Sequence, residues 1–436
     1  MINVLIVYRK FRLIDRATIR DHLYSFKRYG ENCRVTYLDV QGPASLGKFI
    51  LQYPFDAVVF HYTFLAMRFD RDFQKQYERL LPALKCLRGY KVFLVHDEYL
   101  FTRALWRMIR DLDVAHVYAT CYPQDYETLF PYAQTGKQNL CSTVFPGYVE
   151  ETLEKKLRCK SHGRRRIDVG YRALQSDYAF GLHGYLKTRV ALEMRRALDA
   201  CPDLTTDIQM TGAGYVNTIV GNRWLRYLCS CRTAIGCLGG SSLMDPDGEL
   251  RWRASKYMLS HPNASYYEVE QACYPGQDGT IQSHLFGPKI FECAMTRTCQ
   301  ILVEDDYQGI LTAGIDYIPI RKDFSNLQEI IDRIRDKEAC EQIAEQCYEH
   351  LVSSGRYSYR IFARGICGDL SNACPNGETA PATKRMALQI ALLWNSSRCT
   401  AVLAIGYLRH CLAILLAKAA PALYQKLWQR RHPENL

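Results

Sequence analysis

The chain alternates between two hydrophobic periods over most of its length. Continuous apolar runs of strand length recur through the first third: "INVLIVY", "CRVTYLDV", "FDAVVFHY", "YKVFLVHD" and "VAHVYAT". Between them, apolar residues recur at helical spacing over 15–29, 70–87, 102–111 and 124–130. Apolar strands that alternate with helices are typical of a parallel sheet covered on both faces. The pattern therefore predicts an α/β lobe over residues 1–150.

The alternation stops at a charged stretch, "EETLEKKLRCKSHGRRR", and then resumes. We interpret 151–166 as a solvated linker. Further strands are predicted at "RIDVGY", "TTDIQM", "CRTAIGCL", "CQILVE" and "DYIPI", with helices at 187–200, 215–228, 285–295 and from 325 onward. The sequence thus predicts a second α/β lobe over 167–353, followed by a crossover helix and linker over 354–383. Ligands of such sheets bind at the carboxyl ends of the strands.

The last segment, 384–436, has a different character. It contains "CTAVLAIGYLRHCLAILLAKAA", which is apolar except for Arg409 and His410 near its middle. A central Arg costs about 2.5–3.5 kcal/mol on insertion scales, which disfavours a spanning helix. Basic residues flank this run, and Trp394 and Trp428 lie outside it. The composition favours a helix at an anionic membrane surface. The alternative is a helix that packs on the protein itself or on another subunit.

Charge and cysteine content narrow the class of protein. From Lys384 onward the chain has eight Lys or Arg residues and one acid, so most of the net charge of +11 lies in the tail. No nucleic-acid partner is therefore expected. The start, "MINVLIVYRK", has no export signal, and the eighteen cysteines are scattered. We expect reduced, buried thiols in a cytoplasmic protein, with the tail as a peripheral contact to the cytoplasmic face of the membrane.

Several familiar sites are missing from the sequence. "RKFRLID" follows the first strand without the glycines of a dinucleotide site, and "MTGAGYVN" at 210–217 lacks the third glycine. There is no phosphate-binding G-x-x-x-x-G-K-[ST] and no G-x-S-x-G. The "DPDGE" loop lacks the further ligands of a calcium loop, and the C-x-C at 229–231 lacks those of a zinc site. We therefore expect no cofactor and no metal.

The stretch "HLFGPKIFECAMTRTCQILV" carries the clearest chemistry. Pro288 suits the first position of a helix, and Gly287 lets the backbone approach a ligand. The free N–H groups of that first turn, together with Lys289, can bind a diphosphate. Glu292, one turn further on, can accept both vicinal hydroxyls of a ribose. The alternative is an ordinary capped surface helix.

This stretch resembles the donor-site segment of the group 1 glycosyltransferases of the GT-B fold, whose pattern is E-x-F-G-x-P-x-x-E-A-x-A-x-G. It is most similar to the branch with an R/K-x-F-E-A core followed by "TCQIL" and "YIPL-KDFSNL", here "DYIPIRKDFSNLQEII". The resemblance covers about 166–336. It implies two Rossmann-like lobes with parallel sheets, and Glu292 as the ribose-binding residue. His284 stands where the family has its first Glu, and 296–298 also departs from the pattern.

"DVGYRALQSDYAFGLHGYLKTRVA" resembles the strand that opens the second lobe of this family. By this resemblance, Arg172 and Lys187 contact the donor diphosphate. Two cations there would neutralise the charge on the departing nucleoside diphosphate without a metal. The alternative for each is an ordinary surface charge.

Two histidines, His61 and His96, directly follow predicted strands of the first lobe. Similar turns in the family line the acceptor side of the cleft. His96, with Asp97 beside it, would orient the acceptor hydroxyl or the sugar, and either residue would act as the base if the reaction inverts. A histidine at the end of a strand can also be purely structural.

Together these features predict a metal-independent glycosyltransferase. Its donor, a nucleotide-sugar, would be a substrate and not a cofactor. The donor would bind mainly to the second lobe, while the first would hold a glycan, lipid-linked or other envelope acceptor. Two alternatives stay open: a nucleotide-sugar-binding protein of the same fold without transfer activity, and a two-lobed sugar-nucleotide epimerase.

Overall fold

The computed structural model describes residues 1–10, 16–41, 46–138, 141–157, 159, 161–211, 219, 221–377 and 380–419. The first lobe is built on a six-stranded parallel sheet of order β2-β1-β3-β4-β5-β6. Its strands are β1 (Ile2–Tyr8), β2 (Cys33–Asp39), β3 (Ala57–Phe60), β4 (Tyr90–Leu94), β5 (His116–Ala119) and β6 (Cys141–Thr143). Its helices are α1 (Ala17–Tyr29), α2 (Lys48–Leu51), α3 (Tyr62–Leu65), α4 (Phe73–Lys85), α5 (Thr102–Asp111), α6 (Tyr126–Leu129) and α7 (Tyr132–Thr135).

The second lobe has a five-stranded parallel sheet of order β13-β12-β9-β7-β8 and a two-stranded antiparallel ribbon. Its strands are β7 (Ile167–Leu174), β8 (Thr206–Thr211), β9 (Cys231–Gly236), the ribbon strands β10 (Gly239–Ser241) and β11 (Ser283–Leu285), β12 (Cys299–Val303) and β13 (Ile318–Ile320). The remaining helices are α8 (Glu151–Glu154), α9 (Gly181–Leu198), α10 (Asn222–Leu228), α11 (Glu249–Ser260), α12 (Tyr266–Cys273), α13 (Pro288–Met295), α14 (Leu327–Arg335), α15 (Lys337–Tyr348), α16 (Tyr359–Ala373) and α17 (Ala382–Ala419).

The central strands of both sheets are buried, as expected where helices cover both faces. Every residue of β1 is buried, and so is every residue of β9 and β12. Continuous burial of this kind explains the continuous apolar runs that predict these strands. The two parallel-sheet lobes confirm the expected α/β architecture.

The chain passes between the lobes twice, and the two passages are hydrogen bonded to each other. The N–H of Val149 donates to the carbonyl of Tyr357 at 2.9 Å, and the N–H of Tyr359 donates to the carbonyl of Val149 at 3.0 Å. After the second passage, α16 packs against α1 of the first lobe. After the second passage the chain has thus returned to the lobe where it began.

The charged stretch 151–166 is largely exposed or half-buried, but two of its residues are buried, which a solvated linker does not lead one to expect. His162 is 2% exposed and Arg165 is 8% exposed. The Arg165 guanidinium donates to the carbonyls of Cys231 and Thr296 and to the hydroxyl of Thr298. Because these buried residues are charged or polar, the hydrophobic pattern of the sequence does not reveal their burial.

Two further expectations need correction. A disulfide joins Cys159 to Cys229, so not every thiol is free. The helix predicted at 285–295 begins only at Pro288, because 283–285 forms β11. Most of the stretch 210–217 and the tail beyond Ala419 lie outside the described residues. Within the described ranges, no helix combines the length and apolar character needed to cross a bilayer.

Candidate active site

The Glu292 carboxylate lies where the two lobes meet. Pro288 opens α13, and Glu292 follows one turn later. One carboxylate oxygen accepts a hydrogen bond of 2.9 Å from the Thr18 hydroxyl of α1, in the first lobe. The other accepts one of 2.7 Å from the indole N–H of Trp224 in α10, in the second lobe. Burial raises the pKa of Glu292, and these two hydrogen bonds partly offset it.

Lys289 lies one turn before Glu292, close to the end of β9. Its ammonium donates to the carbonyl of Ile235 at 2.7 Å and lies 4.5 Å from the centroid of the Tyr171 ring. Burial lowers the pKa of this lysine. A Cβ added to Gly287 would meet no atom within 4 Å. There is therefore open space beside Gly287, directly before the first turn of α13.

His284 stacks on His183 beside the ribbon of the second lobe. Their ring centroids are 3.8 Å apart, and the planes are nearly parallel at 7°. Asp305 lies 3.3 Å from His284 Nδ1. Burial, together with His284, lowers the pKa of His183 to about 4. His183 is therefore neutral at physiological pH, with its Nε2 donating to the carbonyl of Gly239 at 2.7 Å.

His183, His284 and Asp305 offer three ligand atoms within 4.8 Å of one another. Their arrangement does not suit one metal ion. A ligating nitrogen directs its lone pair in the plane of its ring, and two parallel stacked rings cannot direct lone pairs at one point. His183 Nε2 is in addition occupied by Gly239. As arranged, these side chains form a polar surface of hydrogen-bonding groups.

Lys187 lies beside this polar surface, whereas Arg172 does not. The Lys187 ammonium is 3.6 Å from the position of a Cβ built on Gly239. Cys237, just after β9, is influenced by the charges of Lys187, Lys289 and Asp305, and burial raises its pKa to about 11. These charges thus surround the carboxyl end of β9.

Arg172 instead pairs across the sheet with β8. Its guanidinium forms a bidentate ion pair with Asp207 and also bonds Gln209. The side chain is 21% exposed. A diphosphate at Arg172 would therefore have to compete with a carboxylate.

In the first lobe, His96 and Asp97 form an ion-paired dyad after β4. His96 Nδ1 lies 2.9 Å from one Asp97 oxygen, and the two side chains are 31% and 35% exposed. The Tyr99 hydroxyl donates to the other oxygen at 2.8 Å. Burial disfavours the charged imidazole, but the Asp97 carboxylate outweighs it and raises the pKa of His96. Burial would raise the pKa of Asp97, yet His96 and Tyr99 hold it well below its ordinary value.

Arg68 supports this dyad and was not found from the sequence. It is 1% exposed, and its guanidinium donates to the carbonyls of His96 at 2.8 Å and Asp97 at 2.9 Å. It also bonds the carbonyls of Leu65 and Leu100. Asp97 has a left-handed φ of 55°. A fixed network of four carbonyl contacts thus holds a strained turn in place.

His61 is a structural residue here, contrary to its expected position on the acceptor side. It is fully buried, at 0% exposed. One ring nitrogen lies 2.9 Å from His22, and the other lies 2.9 Å from the Thr63 hydroxyl. Burial and His22 lower the pKa of His61 well below its ordinary value. With no exposed surface, it contacts no ligand directly.

The lobes also contact each other through their loops. The N–H of Phe101 donates to the carbonyl of Asp245 at 2.7 Å, and the N–H of Asp245 donates to the carbonyl of Tyr99 at 2.9 Å. The Tyr122 hydroxyl donates to Asp306 at 3.0 Å. The loop that carries the His96–Asp97 dyad is therefore in contact with the second lobe.

No protein-family model matches the sequence, and no curated protein matches it. Solved structures match the fold. An alpha-glucosyltransferase in complex with UDP and a 13-mer DNA containing an HMU base aligns with a TM-score of 0.50 at 8% identity, over 85% of this chain and 100% of that one. Anabaena HepE in complex with UDP and glucose aligns with a TM-score of 0.47 at 13% identity, over 85% of this chain and 100% of that one. TarM aligns with a TM-score of 0.42 at 7% identity, over 72% of this chain and 54% of that one.

At 8% identity, the likeness to the alpha-glucosyltransferase establishes the fold and nothing finer. The two parallel-sheet α/β lobes and their contact match those of the solved alpha-glucosyltransferase in overall fold. The chain therefore has the GT-B fold, as its sequence predicts.

Proposed function

We propose that this protein is a glycosyltransferase that moves a sugar from a nucleotide-sugar donor to an acceptor hydroxyl. One observation carries the proposal: the Glu292 carboxylate, one turn into α13, contacts both lobes through Thr18 and Trp224. A carboxylate in that place can exchange these partners for the two hydroxyls of a ribose. The alpha-glucosyltransferase of the same fold was solved with UDP, which makes uridine diphosphate sugars the first donors to test.

The donor diphosphate belongs at the end of β9, in front of the first turn of α13. Free N–H groups at the start of a helix and the positive end of its dipole attract phosphate. Lys289 and Lys187 add two positive charges there. Both would stabilise the negative charge that develops on the departing nucleoside diphosphate. These cations supply charge neutralisation from side chains alone.

His96 is proposed as the base that accepts the proton of the acceptor hydroxyl. Its Nδ1 is held by Asp97, which leaves Nε2 as the nitrogen that can face the acceptor. The raised pKa makes neutral His96 a stronger base than a free imidazole. The dyad in turn is held by Arg68. Closure of the lobes would exclude water, so that the acceptor and not water attacks the anomeric carbon.

For the acceptor we propose a glycan or a lipid-linked sugar of the cell envelope. The alpha-glucosyltransferase of the same fold was solved with DNA, so a nucleic-acid acceptor is a direct competitor. Most of the excess positive charge of this chain lies beyond residue 383, in the tail. A DNA acceptor would need basic contacts along its phosphates.

The test is a thermal-shift screen against UDP-, GDP-, dTDP- and ADP-sugars, followed by a transfer and hydrolysis assay of any donor that binds. We expect one class of donor to raise the melting temperature of the wild type. The shift should disappear in Glu292→Gln and Lys289→Met. Lys85→Met is the matched control, because Lys85 is an exposed lysine of α4 in the first lobe and takes no part in the described site.

Three outcomes would contradict the proposal. A melting-temperature shift that persists in both α13 variants would show that the donor binds elsewhere. Binding without transfer or hydrolysis would indicate a nucleotide-sugar-binding protein. Interconversion of a nucleotide-sugar, together with binding of NAD, would indicate an epimerase.

A further inference from the structure

The last described helix, α17, is anchored to the first lobe by one of its sides. Leu388 is 2% exposed, Asn395 is 6% exposed and Cys399 is fully buried. The Asn395 side-chain amide donates to the carbonyl of Asp39 at 2.7 Å, and Cys399 Sγ lies 3.4 Å from the same oxygen. Asp39 is the last residue of β2. The helix is thus fixed at the carboxyl end of a first-lobe strand.

The opposite side of α17 carries large apolar residues without cover. Six of them are 50–71% exposed: Met386, Ile390, Leu393, Trp394, Ile405 and Leu408. Their spacings of mostly three and four residues place them on one side of the helix. We call this set the α17 face. Phe49 of α2, the short helix packed against α17, is also 60% exposed.

The charges of the helix limit what can cover the α17 face. From Ala382 to Ala419 the chain has five Lys or Arg residues and no Asp or Glu. Lys384 and Arg398 are exposed. A second copy of the chain, related by a two-fold axis, would bring two such cationic helices together, which is unfavourable. An exposed apolar face with basic flanks and a tryptophan matches an anionic lipid surface, where each basic residue near the surface adds attraction.

We propose that the α17 face docks in the plane of an anionic membrane and holds the first lobe against it. This surface overlaps the apolar segment 399–420 only at Ile405 and Leu408, since Cys399 is buried and the face begins at Met386. The docking goes beyond the transfer reaction and does not depend on it.

The experiment is co-sedimentation of the full chain with vesicles of phosphatidylcholine alone, or of phosphatidylcholine with phosphatidylglycerol. We expect binding only to the anionic vesicles. Leu393→Asp should reduce the fraction bound at least about tenfold, since an apolar contact is replaced by a charge that the lipid repels. Leu259→Asp is the matched control: Leu259 is 86% exposed on α11, so the variant adds the same charge elsewhere. It should bind as the wild type does.

A second measurement uses Trp394, which is 71% exposed. Brominated lipids should quench the fluorescence of the wild type but have no extra effect on Trp394→Gln. Unchanged thermal unfolding and unchanged nucleotide binding in Leu393→Asp would show that docking and the donor site are separate.

Four results would overturn the proposal. Binding that Leu393→Asp leaves intact would show that the α17 face is not the contact. An equal loss of vesicle binding in Leu259→Asp would show that Leu393→Asp acts through net charge alone. If the protein did not bind anionic vesicles but formed a dimer, and Leu393→Asp dissociated that dimer, the α17 face would be an interface with a second copy of the chain. Quenching by brominated lipid that persists in Trp394→Gln would place the membrane contact elsewhere.

Discussion

Thr18 in the first lobe donates a hydrogen bond of 2.9 Å to the Glu292 carboxylate in the second lobe. The second carboxylate oxygen is held by Trp224 at 2.7 Å. Each carboxylate oxygen thus accepts one hydrogen bond and has a lone pair left for a further donor. Under the proposed function, ribose hydroxyls would bind at these lone pairs or displace Thr18 and Trp224. Contact between the lobes and binding of the donor would then meet at one carboxylate.

The first prediction concerns this carboxylate. Glu292→Ala should weaken the binding of a nucleoside diphosphate by about 1–3 kcal/mol, the usual cost of leaving polar partners unpaired. Isothermal titration calorimetry measures the change. Thr18→Val is the matched control, because it removes the competing hydroxyl and keeps the carboxylate. Its affinity should equal or exceed that of the wild type. Weaker binding in Thr18→Val would show that Thr18 contacts the nucleotide or orders the site.

The second prediction concerns pH. A base must be neutral to accept a proton, and the pKa of His96 lies above its ordinary value because of Asp97. The transfer rate should therefore rise with pH through a midpoint above about 6.5, the unperturbed value for histidine. Asp97→Asn removes the charge that raises the pKa and leaves the burial that lowers it. The midpoint should then move to lower pH, which a profile of kcat/KM against pH will show.

The transfer rate should also fall when His96 is replaced. His96→Gln should reduce kcat by about 10²–10⁴-fold, the usual contribution of a general base. Nucleotide affinity should stay unchanged, because the dyad lies in the first lobe. A variant with normal kcat would exclude His96 as the base.

The third prediction separates the two contributions of Arg68. Its positive charge lowers the pKa of His96, while its hydrogen bonds hold the carbonyls of the dyad. Arg68→Met removes both, so the midpoint of the pH profile should rise as kcat falls. Arg68→Lys keeps the charge and loses most of the carbonyl contacts. Its midpoint should stay near that of the wild type while kcat falls.

Both Arg68 variants need a measurement of stability, since the side chain is 1% exposed. We expect lower melting temperatures in both, because buried carbonyls lose their partners. Identical pH midpoints in the two variants would show that Arg68 acts only through stability.

The fourth prediction concerns the ribbon of the second lobe. Gly240 has a φ of 101°, and a Cβ there would lie 1.7 Å from the carbonyl oxygen of Ser283. Gly276 has a φ of 68° and nothing within 4 Å of its Cβ position. Gly276→Ala should cost about 1–2 kcal/mol of unfolding free energy from backbone strain alone. Gly240→Ala should cost clearly more, because the β10–β11 pairing must also shift. Denaturant unfolding compares the two, and equal costs would show that the ribbon adapts freely.

The hydrophobic pattern predicts the sheets well because burial on both faces leaves long apolar runs. β1 and β9 are examples, with every residue buried. The start of α13 is marked by Pro288, a local signal. The strand β6 escaped prediction, since its three residues, Cys141–Thr143, are too few to show a period. Helices α11 and α12 were missed as well, because few of their residues are buried.

The candidate site is less predictable than the fold, because its partners are distant in the sequence. Thr18 and Glu292 are separated by 274 positions, and Trp224 and Glu292 by 68. Nothing near Thr18 marks it as a partner of α13. The burial of His61 depends on His22 in another element. A histidine at the end of a strand looks the same in the sequence whether it faces a ligand or the core.

The hydrogen-bonded passages at Val149 and Tyr357 have a mechanical consequence. Two chain segments tied together at one place leave the lobes a hinge, and relative motion becomes a rotation about an axis through that place. Tyr359, which follows directly, donates to the carbonyl of Thr18 at 3.2 Å. Thr18 and Glu292 therefore lie near the axis, where displacements are smallest. Under the proposed function, a rotation that separates the Tyr99 and Asp245 loops would displace the proposed nucleotide site least.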